Sequence, residues 1–297
     1  MDKIDIFARA KINTALDVTG KREDGYHDLR MIMQTVNLCD NISIEKSKET
    51  GIELTSNLAW LPCDGRNLIY RAAEVLIDRC GIKKGVKIKL FKRIPAAAGL
   101  AGGSSDCAAT LVAMRRLFGL NISNTELMKI GEELGADVPY CIMRGTALAE
   151  GKGEILTRLP AFPDAYVLLA KPPINVSTPA VFKEFSMDKV EKRPDIEKMI
   201  SCIENNDLQG ICDNMCNVLE TVTEKNYPII KDIKQAMLDH KALGSMMSGS
   251  GPTVFGFFTT YEDGIEALKF VRSTYHVKEI YLTTVFNIKQ HKGTSVN

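Results

Sequence analysis

VKIKLFKRIPAAAGLAGGSSDCAATLVAMRRLFGL, residues 86–120, is the stretch whose punctuation decides the fold. VKIKLF (86–91) alternates apolar and polar residues and reads as a strand. SDCAATLVAMRRLFGL (105–120) is rich in good helix formers. Between the two, Pro95, Ala96, Ala97, Ala98, Gly99, Leu100, Ala101, Gly102, Gly103, Ser104 and Ser105 leave the backbone nearly bare immediately before a helix. The first N–H groups of a helix have no intrahelical partner, and the helix dipole makes that end positive. An anion such as a phosphate chain is the ligand this arrangement suits. The same small residues would also serve a tight strand-to-helix connection. Ser104, Ser105 and Asp106 favour the anion, because hydroxyls and a carboxylate at a helix start can ligate phosphate or its accompanying magnesium.

Two commoner motifs are absent. No G-x-x-x-x-G-K-[ST] occurs, so a phosphate loop here relies on backbone donors, the helix dipole and a metal ion. SGSGP (248–252) sets serine between glycines but runs into a strand, which is not the context of a hydrolase nucleophile.

Outward from this centre, imperfect alternation through residues 4–18, 29–38 and 41–46 reads as β-structure joined by turns. NLIYRAAEVLIDRCG (67–81) has helical spacing and stops at Gly81. Ser123 and Glu126 form a capping box that opens a helix ending near Gly135. Strands are expected at 144–151 and 165–172, a surface loop at MDKVEKRPD (187–195), and helices through most of 196–242. GSMMSGSGPTVFGFF (244–258) leads into a strand, and a helix (about 261–273), a strand (about 278–286) and a polar tail follow. Strands and helices without regular βαβ alternation imply an α+β fold. A loop with Pro160 and Pro163 suggests domains at 1–159 and 160–297.

The 297 residues are 45% hydrophobic and 25% charged, with a net charge of +1, so neither long disorder nor nucleic-acid binding is expected. The N-terminal residues mix acids and bases among apolar side chains, unlike a targeting peptide, and no apolar run is long enough to span a bilayer. The eight cysteines never form C-x-x-C, which fits a reduced, cytoplasmic protein with no membrane partner. His240, His276 and His291 lack carboxylate or cysteine companions at ligand spacing, and Cys212 and Cys216 are better explained by packing than by metal.

P-x-x-x-G-L-[AG]-G-G-S-S-D at 95–106 resembles the second motif of the GHMP kinases. AKINTALDVTGKREDGYHDL (10–29), GADVPYCI (135–142) and GSMMSGSGPTVF (244–255) are similar to the branch of that family acting on 4-diphosphocytidyl-2-C-methyl-D-erythritol. The resemblance implies two α+β domains with the active site in their cleft, ATP as co-substrate, Mg2+, and phosphorylation of the substrate 2-hydroxyl in the non-mevalonate isoprenoid pathway. It implies an ATP loop at Pro95 to Ser105, and a substrate-side pair of Lys11 and Asp137. Alanine stands at 97 and 101 where many members have glycine, which is tolerated if φ is negative there.

The chemistry of these residues agrees with that implication. An aspartate within hydrogen-bond reach is the economical acceptor for the proton of an attacking hydroxyl, and in a loose transition state that proton leaves late, so a weak base suffices. Asp137 is therefore the expected acceptor and Lys11 the stabiliser of developing charge, with Asn13 beside it as a candidate for binding a substrate hydroxyl. Asp137 before Val138-Pro139 also suits a helix N-cap. Tyr26 and His27 offer a flat ring and ring nitrogens. By the resemblance, these two residues and Phe182 surround a cytosine, and Thr178 lies on the substrate side. The alternatives are a GHMP kinase for a smaller substrate, which would have no base to stack, and a sensor that keeps the fold without turnover.

Overall fold

The computed structural model describes residues 1–288, so His291 and most of the polar tail lie outside the described residues. Strands β1 (Lys3–Lys21) and β2 (His27–Ser47) form a long antiparallel ribbon. The two strands expected over 29–38 and 41–46 are thus one. Register shifts at Arg9/Lys11, Asn13/Ala15 and Val18/Gly20 absorb the broken alternation as irregularities within the ribbon.

β3 (Ile52–Ser56), which the alternation did not reveal, runs parallel to β4 (Gly85–Phe91). Between them α1 (Leu68–Cys80) is capped by Asn67, whose side chain accepts from Ile69 N at 2.9 Å, and ends at left-handed Gly81. α2 (Gly102–Phe118) starts at Gly102 and not at Ser105, so the glycine pair forms its first turn. α3 (Asn124–Leu134) has the expected capping box: Ser123 N donates to Glu126 Oε2 at 2.8 Å and Glu126 N to Ser123 Oγ at 3.1 Å. α4 (Val138–Met143), β5 (Thr146–Gly151) and β6 (Ile155–Arg158) follow.

The later chain gives β7 (Tyr166–Lys171), α5 (Thr178–Glu184), α6 (Ile196–Glu204), α7 (Leu208–Asn214), a two-residue β8 (Cys216–Asn217), α8 (Glu220–Asn226) and α9 (Ile229–Asp239). Residues 187–195 form a surface connection with one 3₁₀ turn at Met187–Lys189. β9 (Gly244–Met247), β10 (Val254–Phe258), α10 (Tyr261–Thr274) and β11 (Glu279–Thr284) complete the described chain. No helix among the described residues is long and apolar enough to cross a membrane.

The first sheet has seven strands, with β3-β4-β2-β1-β8 in order, β5 paired to β2, and β6 to β5. The second has four, in the order β11-β7-β10-β9. VFGFF in β10 is buried on both faces, which is why it lacks alternation: Phe255 and Phe257 pack with Phe162, while Val254 and Phe258 enter the other core. β8 comes from the later half of the sequence yet joins the first sheet, pairing in parallel with β1 at Ala15 and Leu16.

A buried charge cluster pins the base of the glycine-alanine loop. Lys92 Nζ donates to Asp106 Oδ2 at 2.8 Å and also to Asp40 Oδ2. Asp40 Oδ1 accepts from Arg93 N at 2.5 Å and Ile94 N at 2.8 Å, so β2, the end of β4 and α2 meet at one point. Burial opposes charge on Lys92, but the two carboxylates outweigh it and hold its pKa above the usual lysine value. Burial raises the Asp106 carboxyl well above the carboxylate range despite Lys92, and its Oδ1 has no hydrogen-bond partner among the described residues. Asp106 was expected to face phosphate or magnesium; it faces inward because Lys92 needs a second counter-charge.

Lys92→Met strands two buried carboxylates against each other and should destabilise the fold by roughly 3–5 kcal/mol in denaturant titrations. Asp106 binds its proton more tightly folded than unfolded, so its contribution to stability falls as pH rises. Asp106→Asn should therefore gain in Tm relative to the parent at about pH 8 compared with about pH 5.

Candidate active site

Lys11 lies in β1 with 5% of its surface exposed. Its ammonium donates to Asn13 Oδ1 at 2.6 Å and to the Gly99 carbonyl at 3.1 Å, while its backbone N–H donates to Leu100 O at 3.2 Å. The loop is thereby sewn to β1 by both main chain and side chain. Asn13 Nδ2 meets only the Met31 thioether at 3.3 Å, a weak acceptor, which leaves that donor suited to a substrate oxygen.

Along the loop, φ is positive at Ala97 (48°), Gly99 (73°) and Ala101 (53°) but not at Ala98 or Leu100. The expectation that alanine fits at 97 and 101 through a negative φ is therefore overturned. Such alternation curls successive N–H groups toward one side and makes an anion-binding concavity. Holding an alanine in the left-handed region costs roughly 1–2 kcal/mol, strain that the Lys11 and Lys92 anchors retain. At Gly99 no side chain is possible, because a Cβ would lie 2.2 Å from Ser248 O. Ser248 Oγ donates to Gly99 O at 2.9 Å, so the SGSGP segment sits directly against the loop.

The two serines diverge. Ser105 Oγ donates to Arg9 O at 2.6 Å, fastening α2 to β1, so its hydroxyl is turned away from the loop and its backbone N–H donates to Ala101 O at 2.8 Å. Ser105 thus supplies neither hydroxyl nor N–H to an anion, in contrast with the sequence expectation, because the helix starts a turn earlier than expected. Ser104 remains half-buried beside Gly135, whose Cβ would lie 3.9 Å from Ser104 Oγ.

Asp137 occupies the N-cap position of α4, with Pro139 in the first turn, but its side chain makes no capping bond. The carboxylate is not used by the helix it precedes. Lys11 and Asp137 form no ion pair among the described residues, since the ammonium is taken by Asn13 and Gly99. Both lie close enough to bear on the buried Cys141 thiol: burial chiefly pushes it well above the usual value, Asp137 adds to that and Lys11 opposes it.

A cavity of about 880 Å³ is lined by Tyr26, His27, Thr178 and Phe182 and also by Gly135 and Ala136, next in the chain to Asp137. The His27 and Phe182 rings stack at 5.2 Å between centroids and 27° between planes, and Phe185 meets His27 edge-on at 6.4 Å. Partial burial, with Lys21 nearby, lowers the His27 pKa and favours the neutral ring. Tyr26 is 62% exposed, with Lys152 Nζ 5.4 Å from its ring centre, so one face is open to a ligand. Thr178 Oγ1 and Ser250 Oγ share a hydrogen bond of 2.7 Å, linking the cavity wall to SGSGP. The three residues expected around a cytosine, and Thr178 expected on the substrate side, therefore border one space. Ser248, Lys92 and Phe185 were not singled out. Lys92 had a legible signal, because it continues the inward parity of Val86, Ile88 and Leu90.

A protein of Lachnospira eligens named 4-diphosphocytidyl-2-C-methyl-D-erythritol kinase is 48% identical over 286 residues, covering 96% of this chain and 99% of its own. The chain belongs to this family of GHMP kinases. A relative of the same name from Caldicellulosiruptor saccharolyticus is 50% identical over 277 residues, 93% of this chain and 95% of its own. The family model for the GHMP kinases N terminal domain matches residues 67–145, and that for the C terminal domain matches 199–277. A crystal structure of 4-(cytidine 5'-diphospho)-2C-methyl-D-erythritol kinase superposes with a TM-score of 0.82 at 30% identity, covering 95% of this chain and 99% of that one. Homoserine kinase from Cytophaga hutchinsonii shares the fold, with a TM-score of 0.76 at 22% identity over 96% of this chain and 95% of its own.

Gly99→Ala should abolish measurable nucleotide binding in calorimetry, since the new methyl group collides with backbone. Ala101→Gly relieves left-handed strain but frees the unfolded chain, so thermal melts should show a change within about 1 kcal/mol, in the stabilising direction.

Proposed function

We propose that this chain transfers the γ-phosphoryl group of ATP to the 2-hydroxyl of 4-diphosphocytidyl-2-C-methyl-D-erythritol, giving the 2-phosphate and ADP in the non-mevalonate isoprenoid pathway. The observation that carries the reading is a cavity lined by both the stacked His27 and Phe182 and by Gly135 and Ala136, the residues that precede Asp137 in the chain. The aromatic rings suit a nucleobase, and a carboxylate that its own helix does not use suits an alcohol. Residues 1–159 act as the domain carrying the ATP loop and 160–297 as its partner across the cleft, with residues 289–297 outside the described chain.

ATP is the co-substrate, as in GHMP kinases generally. Its phosphates lie against the N–H groups of the 95–104 loop and the positive end of α2. That arrangement works without a loop lysine because several preoriented backbone dipoles act together in a partly buried site. Magnesium neutralises phosphate charge when bound. No group of three or more His, Cys, Asp or Glu able to hold a metal is present among the described residues. The Ser104 hydroxyl is the loop's available oxygen for it.

Asp137 orients the attacking hydroxyl and takes its proton as the phosphoryl group moves. Lys11, fixed by Asn13 and Gly99, presents a buried positive charge to the oxygens on which negative charge builds. Cytosine stacks on the open face of Tyr26 and packs against His27 and Phe182, with Thr178 on the substrate side. A reducing cytoplasm suits the eight unpaired cysteines, of which only Cys107, Cys141 and Cys212 are buried, fewer than the sequence led one to expect.

ADP release, followed with ATP and magnesium, should appear with the cytidylyl substrate and not with galactose, homoserine or mevalonate. Turnover with a small substrate alone would discard the cytosine cage; silence on all four with nucleotide still bound would favour a sensor. Asp137→Asn should abolish turnover while nucleotide binding survives in calorimetry. Tyr26→Ala removes a stacking surface worth about 1–3 kcal/mol and should raise the KM for the cytidylyl substrate about tenfold or more, with the KM for ATP unchanged.

A further inference from the structure

The two-residue strand β8 is too short to add much to a sheet, yet it holds one residue whose side-chain polar atoms are all committed. Asn217 is 3% exposed. Its Nδ2 donates to Met247 O at 2.9 Å and to Gly249 O at 2.8 Å, and its Oδ1 accepts from Leu219 N at 3.0 Å. Its backbone lies in register with Leu16 of β1, and Val218 N donates to Leu16 O at 3.0 Å. Asn217 therefore joins the strand that carries Lys11 and Asn13 to the segment 247–249.

That segment touches the reacting centre. Ser248 Oγ donates to the same Gly99 carbonyl that accepts from Lys11, and a Cβ on Gly249 would lie 3.5 Å from Asn13 Oδ1 and 3.6 Å from Lys11 Nζ. A second tie supports it from α8: Glu220 Oε1 accepts from Met247 N at 2.8 Å, and Glu220 Oε2 is paired with Lys234 at 2.8 Å. Thr223 Oγ1 reaches Ser250 O at 3.3 Å. Met247 anchors the start of the segment in the core and in β9, but Gly249 and Gly251 add no side-chain packing, so beyond Met247 these bonds help fix its position.

We propose that Asn217 is a positioning residue for phosphoryl transfer: it clamps the 247–249 segment to β1, and through Ser248 and the Gly99 carbonyl it fixes where the Lys11 ammonium points. The proposal rests on the assignment of Lys11 above. Two carbonyl oxygens 2.8 and 2.9 Å from one nitrogen require a donor there, so a carboxylate in its place repels the segment while keeping the shape of the side chain.

The test is steady-state kinetics of Asn217→Asp, with ADP affinity by calorimetry and thermal melts alongside. Small displacements of a reacting group lower rates by about 100-fold, and this is the expected fall in kcat, with KM values for ATP and the cytidylyl substrate within about threefold of the parent. A lowered Tm with kcat per folded molecule unchanged would overturn the proposal. Should Asn217→Asp fail to fold, Ser248→Ala breaks the same chain of contacts further along. It should lower kcat by about tenfold at unchanged ADP affinity, and an unchanged kcat overturns the idea equally. Combining Asn217→Asp with Lys11→Met separates the two readings. If Asn217 acts through Lys11, the double variant turns over no more slowly than Lys11→Met alone; independent, multiplying losses sink the proposal. Normal turnover in Lys11→Met removes the assignment of Lys11 and this inference with it, whereas an inactive Lys11→Met beside a fully active Asn217→Asp removes this inference only.

Discussion

The Gly99 carbonyl oxygen accepts from the Lys11 ammonium on one side and the Ser248 hydroxyl on the other, and the rest of the site depends on that junction. It forms only if the backbone at Gly99 approaches Ser248 closer than any Cβ allows. The left-handed turns at Ala97, Gly99 and Ala101 deliver that approach. The left-handed conformation that curls the loop's N–H groups to one side is thus the same one that aims a carbonyl at Lys11. Loop shape and lysine position are one constraint.

Charge is arranged in two layers around this loop. Lys11 lies at the active surface with neutral partners, so its charge is undiminished toward a ligand. Lys92 lies beneath, so close to the first turn of α2 that a Cβ on Gly102 would fall 2.9 Å from its nitrogen, and it bonds both Asp40 and Asp106. A buried ion cluster of this kind is weak evidence for added stability, but it is strongly directional. It fixes the relative placement of β2, β4 and α2, on which the strained loop rests. The apolar core alone would leave that placement looser, because dispersion and the hydrophobic effect have little preference for one register over a slightly shifted one.

Local rules carried the reading of the sequence wherever a residue's role is set by its near neighbours. Asn67, Gly81, Ser123 and Glu126 punctuate helices as their side chains dictate, and the bare backbone of 95–105 sits where a strand enters a helix. Errors arose where distant partners decide. Ser105 within the first turns of α2 bonds Arg9, and the inward turn of Asp106 depends on Lys92, neither of which adjacency reveals. Positive φ at two alanines contradicts their intrinsic preference and is imposed from outside the loop. β3 and β8 are short, and pairing rather than alternation makes them strands. Within the site, Tyr26, His27, Thr178 and Phe182 were legible as ring and hydroxyl chemistry. That they border one cavity follows from the packing of α5 near the β1–β2 turn.

The pairing of β8 with β1 has a consequence for how the protein is made. Strand β1 leaves the ribosome about two hundred residues before Asn217 and Ser248 emerge. Contacts between such distant positions close late, because the loop they join must lose its freedom before the contact repays it. A nascent chain can therefore build α1, α2 and much of the first sheet while Gly99 still lacks one of its donors. The contacts that converge on the Gly99 carbonyl are therefore completed only once the segment carrying Ser248 has been made.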